Sequence, residues 1–160
     1  MNFTFDYALG REAELYNDVV ANSPSNAALI LLVLRGAGLE ADATLRTYST
    51  VSGILGGTSH EVANTGYARK KLDHTAVSAY TVDTTLHQIT LTLATQTFST
   101  ISAGDSWAKL VIAYGTTSSV DSANVPVRAL DLFYGNAFVV PNGSNIVMDF
   151  SAGFVTCQNN

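Results

Sequence analysis

Leu86-His87-Gln88-Ile89-Thr90-Leu91-Thr92-Leu93-Ala94-Thr95 sets Ile89, Leu91 and Leu93 on one side of an extended chain and Gln88, Thr90 and Thr92 on the other. That alternation marks a half-buried β-strand, because successive side chains of a strand point to opposite faces. The same character spreads outward. Residues 67–73 and the wider stretch 86–101 alternate or carry β-formers, and Ala108 to Tyr114, Val125 to Phe133, Phe138 to Val140 and Asn145 to Phe150 follow as short candidates. The last two are joined by Pro141-Asn142-Gly143-Ser144, whose Asn-Gly supplies the positive φ angles of a tight turn and so predicts a hairpin. Short strands in series with turn signals between them argue an antiparallel sandwich over alternating βαβ units. The expected fold is mainly β: an antiparallel, jelly-roll-like β-sandwich with an N-terminal arm and one or two short helices. Arm and helix occupy 1–26 and the sandwich 27–160, in one compact domain.

Helical spacing is confined to the first third. From Tyr7 to Ala21, Leu9, Leu15, Tyr16, Val19 and Val20 recur at helical intervals, with Asp6 as the expected N-cap and Asn22-Ser23-Pro24 as the stop. Asp42 offers a second cap, and Leu45, Tyr48, Ser52 and Leu55 line one side of a short helix ending at Gly56-Gly57. Between them, Ala27 to Leu34 is apolar without alternation; its length and the Arg35-Gly36-Ala37-Gly38 that follows favour a strand buried on both faces over a second helix.

Composition limits the function. The chain has 160 residues, 47% hydrophobic and only 13% charged, with net charge −5 and mean hydropathy +0.19. One domain of this size buries about 70% of the surface its unfolded form exposes. Ser and Thr supply about a fifth of the residues, so the surface is hydroxyl-rich and disorder is not expected. Eight Lys and Arg against thirteen Asp and Glu cannot lay a basic stripe along a phosphate backbone, so no nucleic acid is expected as a partner. Cys157 has no partner for an intramolecular disulfide. The N-terminus lacks the pattern of a signal peptide, and the apolar run Ala27 to Leu34 is far short of the ~20 residues of a membrane span, so a soluble protein made in a reducing compartment is expected.

Chemical motifs are sparse. Gly104-Asp105-Ser106 resembles the nucleophile block of the GDS-type esterases, but it comes late in the chain, Trp107 replaces the usual Leu, and no His lies downstream. A polar turn before the next strand is the simpler reading. His60, His74 and His87 show no short-range ligand spacing. Gly36-Ala37-Gly38 and Gly53 to Gly57 lack the rest of any nucleotide-binding motif. Asn2-Phe3-Thr4 and Asn142-Gly143-Ser144 match the glycosylation acceptor pattern by coincidence in a chain without a secretion signal. No catalytic, cofactor or metal residue is therefore assigned.

Two features point to a partner instead. Phe3, Phe5 and Tyr7 alternate with polar residues in an arm that either covers the sandwich or adds to a neighbour's sheet, and its removal is expected to leave the fold intact. Arg69, Lys70 and Lys71 form the dense basic cluster, read as a solvated edge or as a contact with an acidic surface.

The order of several segments is similar to a family of virion structural proteins of tailed bacteriophages: Gly10 to Val20, Asn26 to Leu34, Gly38-Leu39-Glu40-Ala41-Asp42-Ala43-Thr44-Leu45, Tyr67-Ala68-Arg69-Lys70, Leu110 to Tyr114, Val140 to Ile146 and Gly153-Phe154. The likeness covers about 10–72 and 107–155. Where the family pattern carries Asp after the Tyr of the fourth candidate strand, this chain has Gly115, so no role of that acid is carried over. The resemblance implies a part of the particle, and within that class a head decoration (cement) protein. Such a protein would be made in the host cytoplasm and bound as a homotrimer to the major capsid protein, without cofactor, nucleic acid or membrane. A receptor- or carbohydrate-binding module of a tail fibre, presenting Trp107, Phe133 or Tyr134, and a head–tail connector or terminator ring protein are the alternatives.

Overall fold

The computed structural model describes residues 1–86, 88–117, 119–134, 137–150 and 155–158. Its strands are β1 (Phe3–Thr4), β2 (Ala28–Arg35), β3 (Lys70–Leu72), β4 (Thr81–Asp83), β5 (Gln88–Leu91), β6 (Gln96–Phe98), β7 (Trp107–Gly115), β8 (Val125–Asp131), β9 (Phe133–Tyr134), β10 (Ala137–Phe138), β11 (Ile146–Met148) and β12 (Val155–Gln158). The helices are α1 (Glu12–Val20), α2 (Asp42–Leu45) and α3 (Val51–Gly56), with a 3-10 turn at Asp6–Ala8.

The apolar run of β2 explains the architecture. Seven of its eight residues are buried, and it pairs antiparallel with β7 through Leu29↔Tyr114, Leu31↔Ile112 and Val33↔Leu110 on one face, and Ile30↔Ala113 and Leu32↔Val111 on the other. With β1, β8 and β3 these strands make a five-stranded antiparallel sheet in the order β1-β8-β7-β2-β3. A one-faced antiparallel sheet would alternate; β2 does not, because both its faces are covered. Leu29, Leu31 and Val33 pack with Tyr16 and Val19 of α1, and with Leu91, Phe98 and Met148 of the small strands. Ile30, Leu32 and Leu34 pack with Phe3, Phe5, Leu45 of α2, and Val51 and Ile54 of α3. Each such Leu, Ile or Phe contributes ~1.5–3 kcal/mol by leaving water.

The fold is thus mixed α/β with a dominant antiparallel sheet, and among the described residues no sheet closes or curls on itself. The helices do more than decorate it, since α2 and α3 supply Leu45, Val51 and Ile54 to one apolar layer. Short sheets β10-β9, β11-β6 and β12-β5-β4 complete it.

Local expectations shift for identifiable reasons. The first helix begins at Glu12, not at an Asp6 cap, because Gly10 takes φ +77° and separates it from the preceding turn; its N-cap is Arg11, without a capping side chain. Asp6 ion-pairs with Arg46 instead. The second expected helix divides into α2 and α3 because Thr50 is extended, its side chain accepting from the Gly53 N–H at 3.1 Å to cap α3. Asp42 is the first residue of α2, with Ala41 in the cap position. The stretch 86–95 divides too: β5 pairs with β4 and β12, β6 pairs with β11, and between them the Thr92 carbonyl accepts from the Tyr16 hydroxyl. The hairpin across Pro141–Ser144 does not form. The chain bends there with Gly143 alone at positive φ, +95°, but the preceding arm pairs with β9 and bridges Trp107 through Val139, while the following arm pairs with β6.

Candidate functional site

The aromatic arm lies in the main sheet. Phe3 and Phe5 are buried edge to face at 5.2 Å, β1 pairs with β8, and the Phe5 N–H donates to the Val127 carbonyl at 3.1 Å. Of the two roles open to the arm, covering its own core is the one the structure displays for these rings. Tyr7 is 54% exposed.

The basic triplet is not one patch. Strand alternation sends Lys71 to one face of β3 and Lys70 to the other, where its Nζ lies 5.1 Å from the Phe98 ring centroid, while Arg69 precedes the strand and turns to Glu61 and Asp121. Arg69 is held between Glu61, whose oxygens lie at 2.6 and 2.9 Å, and Asp121. The hydrogen bonds it donates to Glu61 chiefly, opposed by burial, raise its pKa further. Burial, with the Glu61 charge behind it, raises the pKa of the neighbouring Tyr67 phenol, whose hydroxyl donates to Glu61 at 2.6 Å. Lys71 reaches the Thr116 carbonyl at 3.4 Å. The other cations are also paired within the chain: Arg11 with Glu14, Arg35 with Asp105, Arg46 with Asp6, Arg128 with Glu12, and Lys109 with Asp42 and Asp131. Among the described residues, only Lys70 and Lys71 of the eight Lys and Arg lack an ion pair.

Gly104-Asp105-Ser106 serves as a turn. Asp105 Oδ2 accepts from the Ala63 N–H at 2.9 Å and the Ser106 carbonyl from the Gly36 N–H at 3.0 Å. The hollow of about 310 Å³ beside it is lined by residues 63–65 and 102–105, with no His among them. His60 and His74 are exposed and His87 lies outside the described residues; among those described, no group of three His, Cys, Asp or Glu could hold a metal. Trp107 is 0% exposed, its indole N–H donating to Asn64 Oδ1 at 3.0 Å and its ring packed on Phe98 and Tyr67. It cannot present a sugar-stacking face. The Tyr134 side chain, Gly153, Phe154 and the Cys157 thiol lie outside what is described.

The arms of the unformed hairpin enclose something that periodicity did not reveal. A cleft of about 870 Å³ is lined by residues 137–140 and 145–150 together with 130–133, a volume within the ~300–1,000 Å³ of ligand sites. Phe133 stacks on Phe138 at 5.5 Å and is 54% exposed, and Val140 and Val147 are 67% and 60% exposed. Asp131, Asp149, Asn145 and Asn2 are the polar residues of the described lining, which holds no Ser, Thr, Cys, His, Lys, Arg or Tyr. Such walls offer apolar contact and backbone hydrogen bonding. The Asn-Gly turn was the one signal in the sequence near this place, and it carries no information on how far its arms diverge. Comparison of the chain with protein-family models, curated proteins and solved structures finds no match.

Proposed function

We propose that the chain is a structural component of a tailed-bacteriophage virion, a head decoration (cement) protein that binds the outer face of the major capsid protein lattice as a homotrimer and stabilises the head. The observation that carries this reading is how the chain spends its charges. Six of its cations are neutralised internally, which leaves a surface of hydroxyls, amides and exposed apolar side chains such as Leu9, Val82, Leu86, Val140 and Val147. A surface of this kind costs little to desolvate in many shallow contacts, and its open strand edges suit coverage by symmetric neighbours. The segment order set out above supports the same class, in which the protein would join the virion after synthesis in the host cytoplasm. No helix among the described residues is long and apolar enough to cross a membrane. The jelly-roll-like sandwich belongs to this reading, supported by the packing of β5, β6 and β11 against one face of the main sheet.

Copy number tests it. Quantitative composition of purified particles should find hundreds of copies; a dozen or fewer would identify a connector or terminator ring and end the decoration reading. The tail-fibre alternative is favoured by one observation, the exposed Phe133 stacked on Phe138, since such a face can stack on a sugar. Glycan binding abolished by Phe133→Ala would establish it.

A further inference from the structure

Asn142-Gly143 carries a reactivity that neither the fold nor the proposed function uses. It is the one Asn-Gly pair in the chain. Asn142, Gly143 and Ser144 are all exposed, at the reversal between the two walls of the cleft. A Cβ added at Gly143 would meet nothing within 4 Å, so the space around this residue is open, and glycine lays no side chain across its own nitrogen. The Ser144 N–H donates to the Asn142 side-chain oxygen at 3.2 Å. Negative charge grows on that oxygen when a nucleophile adds to the amide carbon, and a donor already in place favours the addition. One contact opposes it. The Gly143 N–H donates to the Ile101 carbonyl at 2.8 Å, and the Ile101 N–H donates to the Ser144 carbonyl at 3.2 Å. The Gly143 nitrogen is released for reaction only when this pair of bonds opens locally.

We propose that Asn142 is a site of spontaneous covalent modification, at which the chain converts this asparagine to isoaspartate and aspartate. Hydroxide takes the proton from the Gly143 nitrogen, which then forms a bond to Cγ of Asn142. The Cγ–Nδ2 bond breaks, and Nδ2 takes a proton from water and leaves as ammonia, regenerating the hydroxide. The product is a five-membered imide. Water adds to one of its two carbonyls without any change of oxidation state. Breaking the newly made bond gives aspartate; breaking the original peptide bond gives isoaspartate, whose main chain runs through Cβ and Cγ. Either product places a new negative charge at the reversal, and isoaspartate lengthens the main chain where Ile101 holds it. The inference does not rest on the virion reading, since the reaction needs only water.

Asn145 supplies a control in the same segment. It too is exposed, and its Oδ1 accepts from the Thr100 N–H at 2.9 Å, but the β-branched Ile146 follows it and crowds the attacking nitrogen. Incubation of the full chain in warm, mildly alkaline buffer, followed by peptide mapping in a mass spectrometer, tests the proposal. Asn142 should convert to a mixture richer in isoaspartate than in aspartate, with ammonia released in equal amount, and Asn145 should convert at least about tenfold more slowly. Gly143→Ala should slow the reaction by about tenfold or more, and Asn142→Gln should remove the ammonia released from this segment. The chain unfolded in guanidinium should react faster, because Ile101 no longer holds the nitrogen; equal rates would overturn that restraint. The proposal itself is overturned by an intact Asn142 in the folded chain after the unfolded chain has converted, by conversion of Asn145 to the same extent, or by a folded Gly143→Ala variant that reacts as fast as the parent.

Discussion

Asn124 is fully buried, and among the described residues neither its Oδ1 nor its Nδ2 has a hydrogen-bond partner. An unmade pair of this kind costs ~1–3 kcal/mol, so something else holds the residue in place. Its backbone carbonyl accepts from the Val51 N–H at 2.9 Å, tying the loop before β8 to the start of α3. Its amide fills the space beside Gly115, where an added Cβ would lie 1.9 Å from Oδ1. Asn124 thus occupies the volume a side chain at position 115 would need. Gly115→Ala should therefore lower stability in urea unfolding by about 2 kcal/mol, and Asn124→Ala in the same chain should recover at least about 1 kcal/mol of it. Equal stability of the single and double variants would break this link.

At the scale of elements, the binding of β7 to β8 and α2 runs through one buried charge. Lys109 sits in an otherwise apolar strand, its Nζ ion-paired with Asp131 and, at 3.1 Å, with Asp42, and 5.1 Å from the Phe3 ring centroid. Burial pushes the Asp131 carboxyl up, but hydrogen bonds from Lys109 and the Met1 amino group outweigh it and leave the pKa lowered; Asp42 is lowered against burial by the same two groups. A folded-state pKa below the unfolded one means that the unfolded chain takes up protons first as pH falls. The stability from these carboxylates is thus complete above their ordinary range near pH 4 and is lost as pH falls through the folded pKa values. Lys109→Met leaves Asp131 half-buried without its main cation and should cost about 3 kcal/mol at pH 7. That penalty should shrink as pH drops below about 4, where the wild-type pair is itself being dismantled; denaturant titrations at several pH values would measure it, and a pH-independent penalty would contradict it.

For the whole molecule, the arm decides how the fold begins. The sequence reading expects loss of residues 1–7 to leave the fold intact, yet those residues bring β1 and two buried rings to the sheet. Truncating a buried Phe costs about 3–5 kcal/mol, a large part of a typical domain's stability. Deletion of 1–7 should thus yield a chain that unfolds at markedly lower temperature by circular dichroism; an unchanged melting temperature would return the arm to the role of free contact. What the sequence by itself determined was local: β2 as a strand buried on both faces, β7 and β8 as strands, the stop at Asn22-Ser23-Pro24, the reversal at Gly143 and the helical periodicity of α1. Those follow from side-chain spacing and backbone preference, which each short segment carries with it. Tertiary structure alone decided the partners. The 86–95 stretch divides, the expected hairpin opens into a cleft, and the 69–71 triplet falls on two faces, because strand pairing and ion pairing are set by residues that can lie more than a hundred positions apart in the chain. Alternation states which face a side chain takes, but not what lies opposite it.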